Sequence, residues 1–310
     1  MALGTNNVTT TTAAKFIPEI WSDEIVAAYK QNLVAANLFS KMSFKGKKGD
    51  VLHIPKPTRG AASAKAASTQ VTLIAATENE ILVNINKHYE YSRFIEDIVE
   101  TQALSSLRKF YTDDAGYAIA KQVDTDLVQL GRTAGSGTAY STAATTTNAF
   151  IGSTGATAYN STSSNAAALG DAGIRRSIQR LDDADVPMSD RMLIVPPTTR
   201  NTLMGIARFT EQSFTGEVGS SNTIRNGMVG DVYGVKVYVS TNADNGAGNS
   251  GADRICLLAH KDAFVLAEQM GVRSQTQYKQ EWLATLFTTD MLYGIAELRD
   301  DSAVALAVPA

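Results

Sequence analysis

The sequence predicts an α+β protein in which helical and extended segments are grouped rather than alternating. Three observations carry this. Two stretches, near 17–40 and 96–131, place apolar residues at steps of three and four, the period of a helix with one buried stripe. Everything from Gly271 onward reads as successive extended runs. Between these parts strands and helices alternate too rarely for a doubly wound nucleotide-binding sheet. With 310 residues the chain has room for about two domains, and its 44% hydrophobic content supplies ample core.

The first helix opens at Pro18, which suits a first turn, with Glu19, Asp23 and Glu24 at its positive end. Its stripe is Ile17, Trp21, Ile25, Tyr29 and Leu33, and it is expected to run to about Ser40. A basic, turn-rich link follows at Phe44–Asp50. Val51–Pro55 reads as a strand closed by Pro55 and Pro57. Thr58–Gln70 is small and polar, and strands are expected at Val71–Ile74 and Glu80–Asn86. The two extended segments around that tip form a long β-loop with too little apolar surface to make its own core.

The longest helix is expected from Glu96 to Gly131, with Leu104, Leu107, Tyr111, Ala115, Ile119, Val123, Leu127 and Leu130 on one face. At 1.5 Å per residue it spans roughly 54 Å. Gly116 lies inside it at a cost of about 1 kcal/mol, which a bend or a close packing partner would explain. Residues 133–168 carry no charge and read as an exposed loop with short strands. A helix at Asp171–Asp185, a buried strand at Arg191–Val195 and a helix at Thr199–Arg208 capped by Thr198 come next. Val235–Val239 and Arg254–Ala259 read as strands, and His260–Gln269 as a short helix. The terminal strands are expected at Val272–Glu281, Trp282–Thr289, Leu292–Leu298 and Val304–Val308.

Composition narrows the function. A net charge of −3 excludes a strongly basic chain that wraps duplex DNA by charge alone. The single cysteine, Cys256, excludes an internal disulfide and any zinc site built on two thiolates. His53, His88 and His260 are far apart and in no metal-ligand spacing. No run of about 18 apolar residues is present, so no membrane partner is expected, and Met1–Thr12 lacks the pattern of a signal peptide.

Catalytic motifs fail one by one. Gly46-Lys47 lacks the spacing of a phosphate-binding loop, Gly135-Ser136-Gly137 has no third glycine, and Gly152–Gly155 is not a nucleophile elbow. The carboxylate groups Asp113-Asp114, Asp124 with Asp126, Asp182-Asp183-Asp185 and Asp300-Asp301 read as solvated faces. Trp21 and Trp282 read as packing anchors. Neither a catalytic site nor a cofactor is expected. The densest basic patch, Lys41 with Lys45, Lys47 and Lys48, is a candidate for phosphate contact; Lys45, Lys47 and Lys48 are the proposed DNA-facing residues.

The order of elements resembles the Hong Kong 97-type major capsid protein of tailed bacteriophages. The resemblance lies in Phe16–Trp21 opening an arm helix, Gly49–Pro55 beginning an extended loop, and Lys87–Asp97 leading into a spine helix that closes on Asp124-Thr125-Asp126-Leu127. Gly227–Tyr238, Tyr293-Gly294 and Ala303–Val308 add to it. It implies an N-terminal arm at 1–44, an extended loop at 45–90, a peripheral-domain spine helix at 91–132, an axial domain at 133–270 and peripheral-domain strands at 271–310. It also implies a non-enzymatic virion protein, assembled in the host cytoplasm, that forms homo-pentamers and homo-hexamers around double-stranded DNA. A separate scaffolding protein, a portal and a cement or decoration protein are the further partners it implies. Intersubunit contacts are expected at Trp21, Ile25, Pro55, Lys56, Arg59, Lys65 and Val71. The same fold would also serve an encapsulin-like compartment enclosing cargo enzymes.

Overall fold

The structure is a computed structural model that describes residues 34–46, 48–57, 60–71, 73, 78–97, 107–131, 149–160, 164–206, 209, 230–243 and 253–310. Most of the expected arm helix, with Trp21 and Ile25, lies outside the described residues, as do Lys47 and Arg59. So do the first part of the expected spine helix and the turn at Gly227–Val229.

A four-stranded sheet is built on two long antiparallel strands, β10 (Phe264–Lys279) and β11 (Ala284–Glu297), paired from Phe264 opposite Glu297 to Lys279 opposite Ala284. β4 (Lys87–Glu96) pairs antiparallel with β11, and β1 (Ser40–Ser43) runs parallel to the start of β10. β1 follows a short helix, α1 (Ala35–Leu38). A two-stranded hairpin, β2 (Val51–Pro57) with β3 (Glu78–Asn84), stands off this sheet.

The second sheet has six strands in the order β5-β12-β9-β6-β8-β7. These are β5 (Ala149–Ile151), β6 (Arg191–Val195), β7 (Asp231–Val232), β8 (Val235–Val239), β9 (Asp253–His260) and β12 (Ala303–Pro309). All of β6 and nearly all of β9 and β12 are buried. Strands covered on both faces read as continuous apolar runs, as these do.

Helix α2 (Leu107–Leu130) joins the two sheets. Its Ile119, Val123, Leu127 and Val128 share one buried cluster with Met192, Ile194, Leu257 and Ala259 of the six-stranded sheet and with Phe264, Leu266, Met291 and Tyr293 of the long strands. On the opposite face of the six-stranded sheet, α3 (Asp171–Asp183) and α4 (Pro197–Met204) cover a second cluster that includes Ile174, Leu181, Leu203, Val195, Leu258 and Leu306. α3 sits very close to the turn after β5: a Cβ on Gly173 would stand 1.9 Å from the Gly152 carbonyl oxygen. Only glycine fits there. Gly294 on β11 is held the same way, since a Cβ would meet the Asn84 carbonyl oxygen at 2.4 Å, where the chain turns from β3 into β4.

Several local expectations are corrected. His260–Gln269 is no helix: one 3-10 turn at Lys261–Ala263 passes into β10. Phe264–Ala267 are buried on both faces, so the run lacks the alternation that marks a strand. Trp282–Thr289 and Leu292–Leu298 form one strand, β11, which begins at Ala284. Glu96 ends β4 instead of opening the spine helix, whose described part starts at Leu107. The helix expected at Thr199–Arg208 begins at Pro197, with Pro196 in the capping position and no side-chain cap. Val71 lies in no strand. Phe150 and Tyr159, expected in an exposed loop, are buried in or beside β5. Among the described residues Gly116 has no packing partner, since nothing lies within 4 Å of a Cβ built there.

Candidate intersubunit surfaces and the polar seam beneath them

Among the described residues the hairpin β2–β3 is anchored at its base. Leu52, Ile54 and Val83 pack against Met42, Val265, Ala267, Ala296 and Leu298. Farther out, every described residue from 60 to 73 is exposed, Lys65 among them. Val71 is 65% exposed and Leu73 91%. Pro55 opposite Glu80 and Lys56 opposite Asn79 lie on the hairpin and are exposed. Proline and lysine on a two-stranded ribbon discourage indiscriminate strand pairing. Glu80 also faces His53 across the pair, with Nδ1 and Oε2 2.8 Å apart. Beneath the hairpin an open cleft of about 800 Å³ separates Ile54, Lys56 and Ile81 from Asp185, Asp262 and Asp300 of the body.

A second exposed apolar surface was missed in the sequence. At the turn between β10 and β11, Trp282 is 70% exposed and Leu283 65%, and Phe94 of β4 lies beside them with its ring 6.4 Å from that of Trp282. Leu283 adopts a left-handed conformation with φ 44°, a cost for a branched residue. Tyr278 donates to Asp97 at 2.7 Å and braces the tip. Trp282 is therefore no packing anchor within the chain. Bulky apolar residues at a turn were the available signal.

Where α2 meets the long strands runs a buried polar seam. Asp124 is fully buried and accepts from the Ala35 backbone N–H at 2.7 Å and from Asn242 Nδ2 at 2.9 Å. Asp126 accepts from Tyr293 Oη at 2.8 Å, from Gln122 Nε2 at 3.0 Å and from Lys87 Nζ at 2.9 Å. Burial, and then the bond to Asp126, push the Tyr293 phenol well above its usual range. The expectation that Asp124 and Asp126 form a solvated face is thus overturned. Each carboxylate is buried because it collects donors from distant parts of the chain. Asp290 of β11 is held similarly: Arg273 binds it through Nε at 3.1 Å and Nη2 at 2.7 Å, and His88 Nε2 lies at 3.2 Å. Arg273 above all holds the Asp290 carboxyl below its usual range.

The remaining candidates for chemistry are scattered over the fold. Asp182 pairs with Arg191 at 2.7 Å, while Asp183 and Asp185 are exposed. Cys256 is fully buried beside Thr199, and burial pushes its thiol up to about 12. Lys45 stands 3.8 Å from Glu268, and Lys48 is exposed. Among the described residues no group of His, Cys, Asp or Glu is placed to hold a metal ion, and no helix is long and apolar enough to cross a membrane.

Comparison with known proteins agrees with this architecture. The sequence profile of a family described as phage capsid protein matches residues 90–304, more than half of the chain. No curated protein matches by sequence. Among solved structures, one from Mycobacterium phage Che8 superposes with a TM-score of 0.74 at 21% identity, covering 98% of each chain. The capsid of cyanophage P-SCSP1u gives 0.74 at 18% identity, with 99% of this chain and 96% of that one covered. The mature capsid of bacteriophage PhiM1 gives 0.72 at 13%, over 94% and 92%. With long paired strands, a spanning helix, a buried six-stranded sheet and a projecting hairpin, the chain has the Hong Kong 97-type fold and belongs to the phage capsid protein family.

Proposed function

We propose that this capsid shell protein is the major subunit of a tailed-phage head, assembling as homo-pentamers and homo-hexamers into a closed icosahedral shell around double-stranded DNA. The observation that carries the reading is the hairpin β2–β3, which extends past its own core and leaves Val71 and Leu73 uncovered. Covering an apolar side chain of this size fully contributes about 1.5–3 kcal/mol. A neighbouring copy is the partner that every subunit of a shell has. Pro55, Lys56, Lys65 and Val71 supply the contacts in this reading, with strand-like hydrogen bonding to the extended segment. Trp21, Ile25 and Arg59 are proposed to act with them. A scaffolding protein, a portal and a decoration protein complete the proposed set of partners, and assembly is placed in the host cytoplasm.

Repeated around rings of five and six, such head-to-tail contacts close a shell without any single strong interface. Deleting Thr58–Gln70 tests the reading. Because the hairpin base carries the packing, the variant is expected to stay folded, with an unchanged thermal midpoint, and to sediment as free subunits. Normal shells from that deletion would refute the role of the loop.

A further inference from the structure

A small groove lies at one end of the six-stranded sheet. It has a volume of about 200 Å³ and is lined by Asn37, Asp190, Arg191, Lys236, Tyr238 and Lys261, among others. The register explains why they meet. Met192 of β6 pairs with Lys236 of β8, Arg191 pairs with His260 at the end of β9, and the Lys261 N–H donates to the Asp190 carbonyl. Lys236 and Tyr238 are two residues apart on β8 and share a face, and α1 brings Asn37 over them.

Among the described lining residues Asn37, Arg191, Lys236, Tyr238 and Lys261 carry donors, while Leu38 and Met192 are apolar. Lys236 and Lys261 are exposed and form no ion pair among the described residues. The Asn37 side-chain oxygen accepts from Lys41 Nζ at 3.4 Å, which leaves its amide N–H groups as donors and brings a third lysine to the rim. Arg191 forms the floor, its charge matched by Asp182 and its other N–H groups given to the Val186 and Pro187 carbonyls. One carboxylate, Asp190, faces the two lysines. The neighbouring Asp262 is engaged by Ser40 Oγ at 2.6 Å. In a chain of net charge −3, this is a local surplus of positive charge with unsatisfied donors.

We infer that this groove is a phosphate site that takes the backbone of duplex DNA. Lysine ammonium groups and amide donors on a concave surface match tetrahedral oxyanions, and they read charge without base sequence. The inference deepens the reading of the chain as the wall of a DNA-filled shell. It assigns wall contact to Lys236 and Lys261 in place of the basic link, where Lys45 already faces Glu268.

The test is fluorescence anisotropy of a short labelled duplex titrated with the full-length, unassembled chain over roughly 50–200 mM salt. For the double variant Lys236→Gln/Lys261→Gln, the slope of log affinity against log salt is expected to fall by about two, since each phosphate contact contributes roughly 0.9. Lys236→Arg/Lys261→Arg should keep the slope. Both variants change exposed residues and should melt with the wild type. An unchanged slope in the Gln variant would overturn the site. So would loss of the slope in Lys45→Gln/Lys48→Gln instead, or tighter binding of polyglutamate than of the duplex, which would mark a protein-docking groove. Salt-dependent duplex binding through Lys236 and Lys261 in subunits that never form shells refutes the proposed function but not the groove. DNA-filled shells with normal binding in the Gln variant refute the groove alone.

Discussion

Asp124→Ala is the most informative single substitution in the seam. The carboxylate is fully buried and ties together three elements distant in sequence: the start of α1 through Ala35, the middle of α2, and Asn242 just after β8. Alanine leaves a buried backbone N–H and one amide N–H without an acceptor. Hydrogen bonds to a charged group contribute about 1.5–3 kcal/mol each, so two give roughly 3–6 kcal/mol. Release of a buried charge offsets part of this, and Asn242 has partial access to water, leaving a loss of about 3 kcal/mol. For a chain of this size that lowers the thermal midpoint by about 6 °C, at roughly 2 °C per kcal/mol. The assay is thermal or urea denaturation of unassembled full-length subunits, with the exposed Lys65→Ala as reference. Asp124→Asn keeps one acceptor toward Ala35 but sets an amide against Asn242, so it should fall between. A loss below about 1 kcal/mol for Asp124→Ala would refute the claim that the carboxylate ties these three elements together.

Three further outcomes follow from the geometry. Gly294→Ala places a methyl 2.4 Å from the Asn84 carbonyl oxygen, which is backbone and cannot rotate away; a loss of about 1–3 kcal/mol or insoluble protein is expected, and wild-type melting would contradict the close approach. Gly116→Ala meets nothing within 4 Å, so the unassembled subunit should gain up to about 1 kcal/mol from helix propensity. A lower midpoint would reveal packing at that turn. Arg273→Gln removes the group that depresses Asp290. A depressed carboxylate contributes stability that is present above its unfolded value, near 3.9, and lost as pH falls through the folded value. The wild type should therefore be the more stable at pH 7, and urea midpoints of the two should converge only in acid below that range; equal midpoints at pH 7 would contradict the pairing.

Much of the fold was legible because its elements are patterned. The 111–130 stripe places Ala115, Ile119, Val123 and Leu127 in the core, as their spacing requires. The hairpin was legible from Pro55, Pro57 and the alternation at Ile81, Val83 and Ile85. What failed were segments whose periodicity is erased by double burial, such as Phe264–Ala267. The seam failed for a related reason. A carboxylate next to another reads as solvated, yet Asp124 sits among Val123, Leu127 and Val128, inside the buried stripe. A charged residue interrupting an apolar face was the usable signal. The exposed pair Trp282 and Leu283 was misread because an apolar residue looks the same in sequence whether its cover comes from its own chain or a neighbour's.

The central claim is that the projecting hairpin serves copies of this chain in building a closed, DNA-filled wall. Cryo-electron microscopy of particles carrying the chain, with nuclease protection of their contents, tests it most directly. Closed icosahedral shells with nuclease-resistant duplex DNA, in which residues 60–73 of each subunit lie on the adjacent subunit, are the expected result. Shells filled with protein cargo, or a hairpin that touches no neighbour, would contradict it.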